Sequence, residues 1–218
     1  MINNFLRSRV LMIALSLVLI LGASNSVQAS GVTDGLKATI DQLISIVTNP
    51  KYKNDRQTRR AKMKGVIYPK FNFVEMGIRS LGKKTWKSIT PDERKAFVDV
   101  FGRLLENSYA TKLESYQDEK IHYNDEILKG KFAMVKTELI RESGPLQIDY
   151  KLIQTGGEWL VYDIVIEGVS MIKNYSSQFA KIIHKDSFSA LMDKLNTKVK
   201  KLEAGEQETE EEEEEDKI

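Results

Sequence analysis

Residues 159–166 read WLVYDIVI, and this octapeptide constrains the fold more than any other stretch of the chain. Leu160, Tyr162, Ile164 and Ile166 fall on one side of an extended strand, and Trp159, Val161 and Val165 on the other. Side chains alternate along a strand, so a segment apolar on both sides is covered on both. Asp163, the one charge inside it, needs hydrogen-bond partners. The turn Thr155-Gly156-Gly157-Glu158 joins this strand antiparallel to residues 146–155. There Leu146, Ile148, Tyr150 and Leu152 alternate with Gln147, Asp149 and Lys151. Residues 120–127 and 131–141 are further strands, the second closed by the turn Glu142-Ser143-Gly144-Pro145.

Helices surround these strands in sequence. Residues 32–48 place Leu36, Ile40, Leu43, Ile44 and Val47 three and four apart, which marks one helical face, and Asn49-Pro50 stops it. A second helix runs over about 55–67 and a third over 71–81, with Gly82 as its C-cap. The clearest helix starts with Thr90 as N-cap, Pro91 at its first position and Glu93 completing a capping box. Phe97, Phe101, Leu104, Leu105, Tyr109, Leu113 and Tyr116 then form a continuous stripe as far as about residue 115. After the Glu167-Gly168 break, a helix over 169–185 carries Ile172, Tyr175, Phe179, Ile182 and Ile183. A last helix from 187 carries Leu191, Leu195, Val199 and Leu202. The expected fold is α+β, a short antiparallel sheet of about four strands wrapped by helices.

The formal net charge of +2 conceals three unlike segments. Residues 1–29 have Arg7 and Arg9, then the apolar run VLMIALSLVLIL, then Val27 and Ala29 at the −3 and −1 positions of a processing site. The run is shorter than the ~20 residues that span a bilayer. It has the plan of a secretory signal peptide cleaved near Ala29. Residues 203–218 hold ten acids against Lys217, a net −9, and read as a solvated, disordered tail. The body, 30–202, is left with +9, which suits an anionic membrane surface or an acidic partner. Export argues against nucleic acid as that partner. The chain has no cysteine, which excludes disulfide scaffolds, thiol nucleophiles and lipoprotein processing.

Catalytic signatures are missing. No GxSxG, SxxK, P-loop or GxGxxG occurs, and His122 and His184 belong to no metal-ligand spacing. Asp163 and Glu167 flank the end of the strand, four residues apart. With no nucleophile or oxyanion donor beside them, they read as structural carboxylates rather than a general acid/base pair. The expectation is no enzyme, no metal and no cofactor.

One resemblance goes further. The segment W-L-V-Y-D-I-V-I-E-G-V-S-M over 159–171, followed by Asn174-Tyr175-x-x-Gln178-Phe179, resembles the MlaC family of periplasmic toluene-tolerance and lipid-transport proteins. Phe71-Asn72-Phe73-x-x-Met76, Leu81-Gly82-x-x-Thr85-Trp86, Thr90-Pro91 and Phe97-x-x-x-Phe101-x-x-Leu104-Leu105 recur in family order, so the likeness covers about 36–195. Two positions depart from it: Asn72 stands where the family usually has aspartate, and the family's glycine near 186–188 is missing.

The resemblance implies a monomeric periplasmic phospholipid carrier. It implies exchange with an inner-membrane ABC transporter bearing an MCE-protein ring and with an outer-membrane lipoprotein–porin complex, keeping the outer membrane asymmetric. A hopanoid or other apolar ligand is the alternative cargo. A phospholipid's roughly 30 tail methylenes, at ~0.8 kcal/mol each, represent of order 20 kcal/mol, so its carrier encloses the tails in an apolar lipid cavity. The expected wall comprises Phe101, Leu105, Tyr109 and Leu113 from the long helix, and Val135, Ile148, Tyr150, Tyr162, Ile164 and Ile166 from the sheet. Val169, Ile172 and Phe179 complete it from the following segment. Arg79, Lys83 and Lys84 are candidate attractors for a lipid phosphate or an acidic partner.

Overall fold

A computed structural model describes residues 31–205. The signal-peptide reading of residues 1–29 and most of the acidic-tail reading fall outside the described residues.

The elements in chain order are α1 (Val32–Val47), α2 (Arg56–Ile67), α3 (Phe73–Ser88), α4 (Pro91–Glu114), β1 (Lys120–Lys129), β2 (Phe132–Ile140), β3 (Leu146–Thr155), β4 (Glu158–Ile166), β5 (Val169–Ser170), α5 (Met171–Lys185) and α6 (Phe188–Glu203). Single 3-10 turns, Pro50–Tyr52 and Tyr68–Lys70, flank α2.

Short polar residues start the helices. Asp55 accepts a hydrogen bond from the Thr58 amide (3.0 Å), and Ser187 accepts one from the Ala190 amide (3.1 Å). The Thr90 capping box is complete: the Glu93 amide donates to Thr90 Oγ1 (3.2 Å), and the Thr90 amide donates to Glu93 Oε2 (2.7 Å). Asn72 caps α3 as an aspartate would, accepting from the Glu75 amide at 2.9 Å. Its Nδ2 also donates to Thr155 Oγ1 at 3.3 Å, which a carboxylate has no proton to do. The third helix runs past its expected end. Gly82, at φ 75° and ψ 152°, kinks it, and helical residues continue to Ser88. Positive φ suits glycine, so the predicted C-cap is a joint between two helical pieces.

The sheet is an antiparallel meander in the order β1-β2-β3-β4-β5. It has five strands where about four were expected. The fifth is the two-residue β5, which pairs Val169 with Ile166 and Ser170 with Val165. Opposite the N-terminal part of β4, Phe71 forms an isolated parallel bridge with Val161, and the Asn72 amide donates to the Val161 carbonyl at 2.8 Å. β4 therefore lies next to the sheet's edge but has partners on both sides and cover on both faces.

Two apolar cores account for that cover. The first gathers Phe97, Phe101 and Leu104 of α4 with Ile172 and Phe179 of α5 and Leu191, Leu195 and Val199 of α6. Its centre is aromatic. Phe101 meets Tyr175 at 5.2 Å and Phe179 at 5.4 Å between centroids, both edge to face. The second core packs Val32, Leu36 and Ile40 of α1 against Ala133, Val135, Leu152 and Val161. Phe71 and Ile164 pack against both.

Asp163 is 3% exposed and fully partnered. It accepts from Lys151 Nζ (3.0 Å), Ser170 Oγ (2.7 Å) and the Ile172 amide (3.1 Å), so it fixes the start of α5. Glu167, at φ 49°, accepts from the Gln147 amide at 2.6 Å. Both carboxylates hold backbone, as their setting in the sequence suggested.

The acidic segment begins later than residue 203. Glu203 is helical and takes both Arg103 Nη2 (2.8 Å) and Arg103 Nε (3.0 Å). Both side chains are partly exposed, which limits such a pair to about 1 kcal/mol. Truncation after Gly205 is therefore expected to leave the thermal midpoint unchanged, whereas truncation after Leu202 lowers it by a few degrees at most. Differential scanning fluorimetry of the two truncations checks this.

Candidate ligand pocket

An apolar cavity lies where the two cores meet. It encloses about 800 Å³, counting the space open to solvent at its mouth. Met63 and Ile67 of α2 form one wall, followed by Tyr68, Phe71, Phe73 and Met76. Leu105, Tyr109, Ala110 and Leu113 of α4 form the facing wall, and Ile164, Ile166 and Met171 close the floor. Among the described residues, Arg60, Lys64 and Glu106 are the charged members of the lining. Among the lining residues Lys64 and Leu113 are the exposed ones, so the pocket opens between α2 and the C-terminal half of α4.

The stripe along α4 thus divides. Its first half, from Phe97 to Leu104, fills the aromatic core, and its second half faces the cavity. Of the wall expected from sequence, Leu105, Tyr109, Leu113, Ile164 and Ile166 line this pocket. Phe101, Tyr162, Ile172 and Phe179 are packed in the first core instead. Val135 and Tyr150 belong to the second. Burial there pushes the Tyr150 phenol up to about 12. Ile148 pairs with Ile166 across β3 and β4 but is not part of the lining. The placement of Val169 was wrong: its residue is 64% exposed. In the two-residue β5, Ser170 turns in to Asp163, which leaves its neighbour Val169 facing out. Arg79 is also away from the cavity, paired with Glu75 at 2.7 Å and stacked 4.2 Å over Tyr162. Lys83 and Lys84 are absent from the lining.

Sequence reading missed the α2 wall. Its signal is faint: Met63, Val66 and Ile67, spaced three and one apart, are the large apolar residues of a helix otherwise dominated by arginine and lysine. Met63 is 3% exposed, so this short stripe is real packing.

Ion pairs bind the two walls at the mouth. Lys64 Nζ lies 2.9 Å from Glu106 Oε2, and Tyr68 donates its hydroxyl to the same oxygen at 3.1 Å. Desolvation opposes the charge on Lys64, but Glu106 outweighs it and holds the ammonium pKa above its usual value. Burial, with the Glu106 charge behind it, raises the Tyr68 phenol. Further along, Glu114 sits among Arg56, Arg59 and Arg60. Burial alone would raise its carboxyl, yet Arg60 and Arg59 hold it below the usual carboxylate range. A depressed folded pKa means these pairs stabilise fully at neutral pH and are lost as pH falls through the folded value. Glu114→Gln is therefore expected to cost about 1–3 kcal/mol at pH 7, with the difference from wild type closing below about pH 4. Urea titrations at pH 7 and pH 3.5 measure it; an undiminished gap at low pH contradicts it.

Among the described residues there is no cluster of His, Asp and Glu able to hold a metal, and no helix long and apolar enough to cross a membrane.

An α+β fold built around an apolar cavity between its helices and a short antiparallel sheet defines a hydrophobic-cavity protein. The family is specific: a model of the MlaC protein family matches residues 37–197, most of the chain, and the chain belongs to that family. The intermembrane phospholipid transport system binding protein MlaC of Haemophilus influenzae is 29% identical over 168 residues, covering 73% of this chain and 78% of that protein. A toluene tolerance protein of Pseudomonas putida is 26% identical over 102 residues, covering 46% of this chain and 47% of that one. A solved phospholipid-binding protein from Ralstonia solanacearum, in complex with a phospholipid, shares the fold. Its TM-score is 0.70 at 23% identity, with 77% of this chain and 96% of that chain covered.

Proposed function

We propose that this chain is a periplasmic phospholipid carrier, and that the pocket between α2, α4 and β4 holds the lipid's acyl chains. The observation that carries the reading is the lining. Side chains of Met, Ile, Leu, Ala and aromatic residues make up most of the lining, and its three charged members include Lys64, one of its two exposed residues. That division suits an amphipathic ligand with its tails inside and its head at the mouth. Membership of the MlaC family and the names of its relatives point the same way. The carrier exchanges its load with an inner-membrane MCE-protein ABC transporter and an outer-membrane lipoprotein–porin complex.

Native mass spectrometry on protein purified from its source, followed by solvent extraction, tests the cargo. A co-purifying mass equal to that of a diacyl phospholipid supports the reading and gives the stoichiometry. An empty protein that also takes no phospholipid from donor vesicles overturns it.

A further inference from the structure

The charges at the pocket mouth do not balance. α2 contributes Arg56, Arg59, Arg60 and Lys64, while α4 answers with Glu106 and Glu114. Three guanidinium groups converge on one carboxylate: Arg56 Nε at 3.3 Å, Arg59 Nη2 at 3.1 Å and Arg60 Nε at 3.3 Å from Glu114 oxygens. Lys64 takes Glu106. The group therefore keeps two positive charges beyond what its carboxylates neutralise.

The arginines have different work. Arg59 also donates to the backbone carbonyls of Tyr52 (3.1 Å) and Lys53 (3.2 Å), so it is committed to tying the segment before α2 to α4. Arg60 is part of the pocket lining, and its Nη2 reaches Glu114 and Thr111 Oγ1 only at 3.5 Å, the outer limit of a hydrogen bond. Arg56 leaves 54% of its side chain exposed, and Lys64 leaves 45%. One strut would suffice to join the two helices through Glu114. Arg56 and Arg60 provide more donors than that carboxylate can use, and Arg60, one helical turn on from Arg56, is part of the lining of an apolar cavity.

We propose that Arg56, Arg60 and Lys64 form an anion subsite at the pocket mouth that receives the phosphate diester of a two-tailed lipid whose chains fill the pocket. The inference rests on the carrier reading above. Guanidinium groups match tetrahedral oxyanions with paired, charge-assisted hydrogen bonds, and phosphate recognition favours them over other side chains. The position fits amphipathic geometry. Arg60 and Lys64 stand one helical turn apart on α2, on the open side of the lining shared with Met63 and Ile67, where a lipid's tails end and its phosphate begins. In this arrangement Glu114 is a competitor for the same donors. An arriving phosphate draws Arg60 away from it, and Arg59 keeps the carboxylate paired.

The test compares two lipids that differ at the phosphate. Delipidated full-length protein is offered, in the same detergent, a fluorescent-tailed phosphatidylglycerol or the diacylglycerol with the same chains. Wild type is expected to bind the phospholipid about tenfold more tightly, the scale of one charge-assisted contact. Arg56→Gln/Arg60→Gln is expected to erase that preference while keeping diacylglycerol affinity. Glu114→Gln, which frees the arginines, is expected to raise phosphatidylglycerol affinity several-fold even though it weakens the fold. Equal binding of both lipids by wild type overturns the subsite and leaves the acyl-chain pocket standing. A Glu114→Gln variant that lowers phospholipid affinity also overturns it, because the network then only holds α2 in place. Wild type that takes up neither lipid overturns the carrier reading itself.

Discussion

Ala110→Phe is expected to yield a folded protein that has lost roughly fiftyfold of its lipid affinity. Ala110 is 4% exposed on α4 and is one of the residues that line the pocket. A phenyl ring there occupies volume that acyl chains would use. Excluding about three methylenes at ~0.8 kcal/mol each removes ~2.4 kcal/mol of binding, which is the fiftyfold stated. Because the ring enters a cavity, the overpacking penalty of a filled core does not apply, and the thermal midpoint stays level or rises. Lipid content after extraction and a melting curve, taken on the same preparation, decide it. A variant that unfolds shows that Ala110 faces packed core, and one that keeps its full lipid load shows that the ligand sits elsewhere.

Phe101→Ala, two and a half turns earlier on the same helix, is expected to do the reverse. Phe101 is fully buried and meets Phe97, Tyr175 and Phe179 with centroids 5.2–5.5 Å apart. Removing the ring costs about 3–5 kcal/mol in lost burial and cavity formation. For a fold of this size that is a fall of about 10 °C or more in midpoint. The affinity of the molecules that remain folded should change little, because the ring is not in the lining. Equal stability of variant and wild type under chemical denaturation is the result that contradicts this.

These opposite expectations on one helix also mark what sequence can and cannot convey. The elements were legible because their signals are local. The Thr90 box, the Gly156-Gly157 hairpin and the double-sided WLVYDIVI strand each dictate backbone within a few residues. The pocket was legible only in part because core and cavity use the same residue types. Nothing in the spacing of Phe101, Leu105, Tyr109 and Leu113 separates the residue that fills space from the one that borders it. That distinction depends on how far α2 stands from α4, which is a tertiary matter. The α2 wall was harder still, since Met63 and Ile67 are set in a basic helix whose overall polarity hides them. Val169 misled for a different reason. It adjoins an apolar strand, but the Glu167-Gly168 reversal makes it one of a two-residue pair whose other member turns inward. Gly82 supplied a correct break and a wrong ending, because a single positive φ bends a helical path without forbidding its resumption.

Phe71 and Ile164 lean on both cores, and the cavity opens at their junction. An apolar chain bound at such a seam gains dispersion contacts with both sides together. The laden protein is then the sturdier one by mass action, and its melting temperature becomes a gauge of its load. If the proposed carrier role holds, release of the ligand returns the protein to its less stable form.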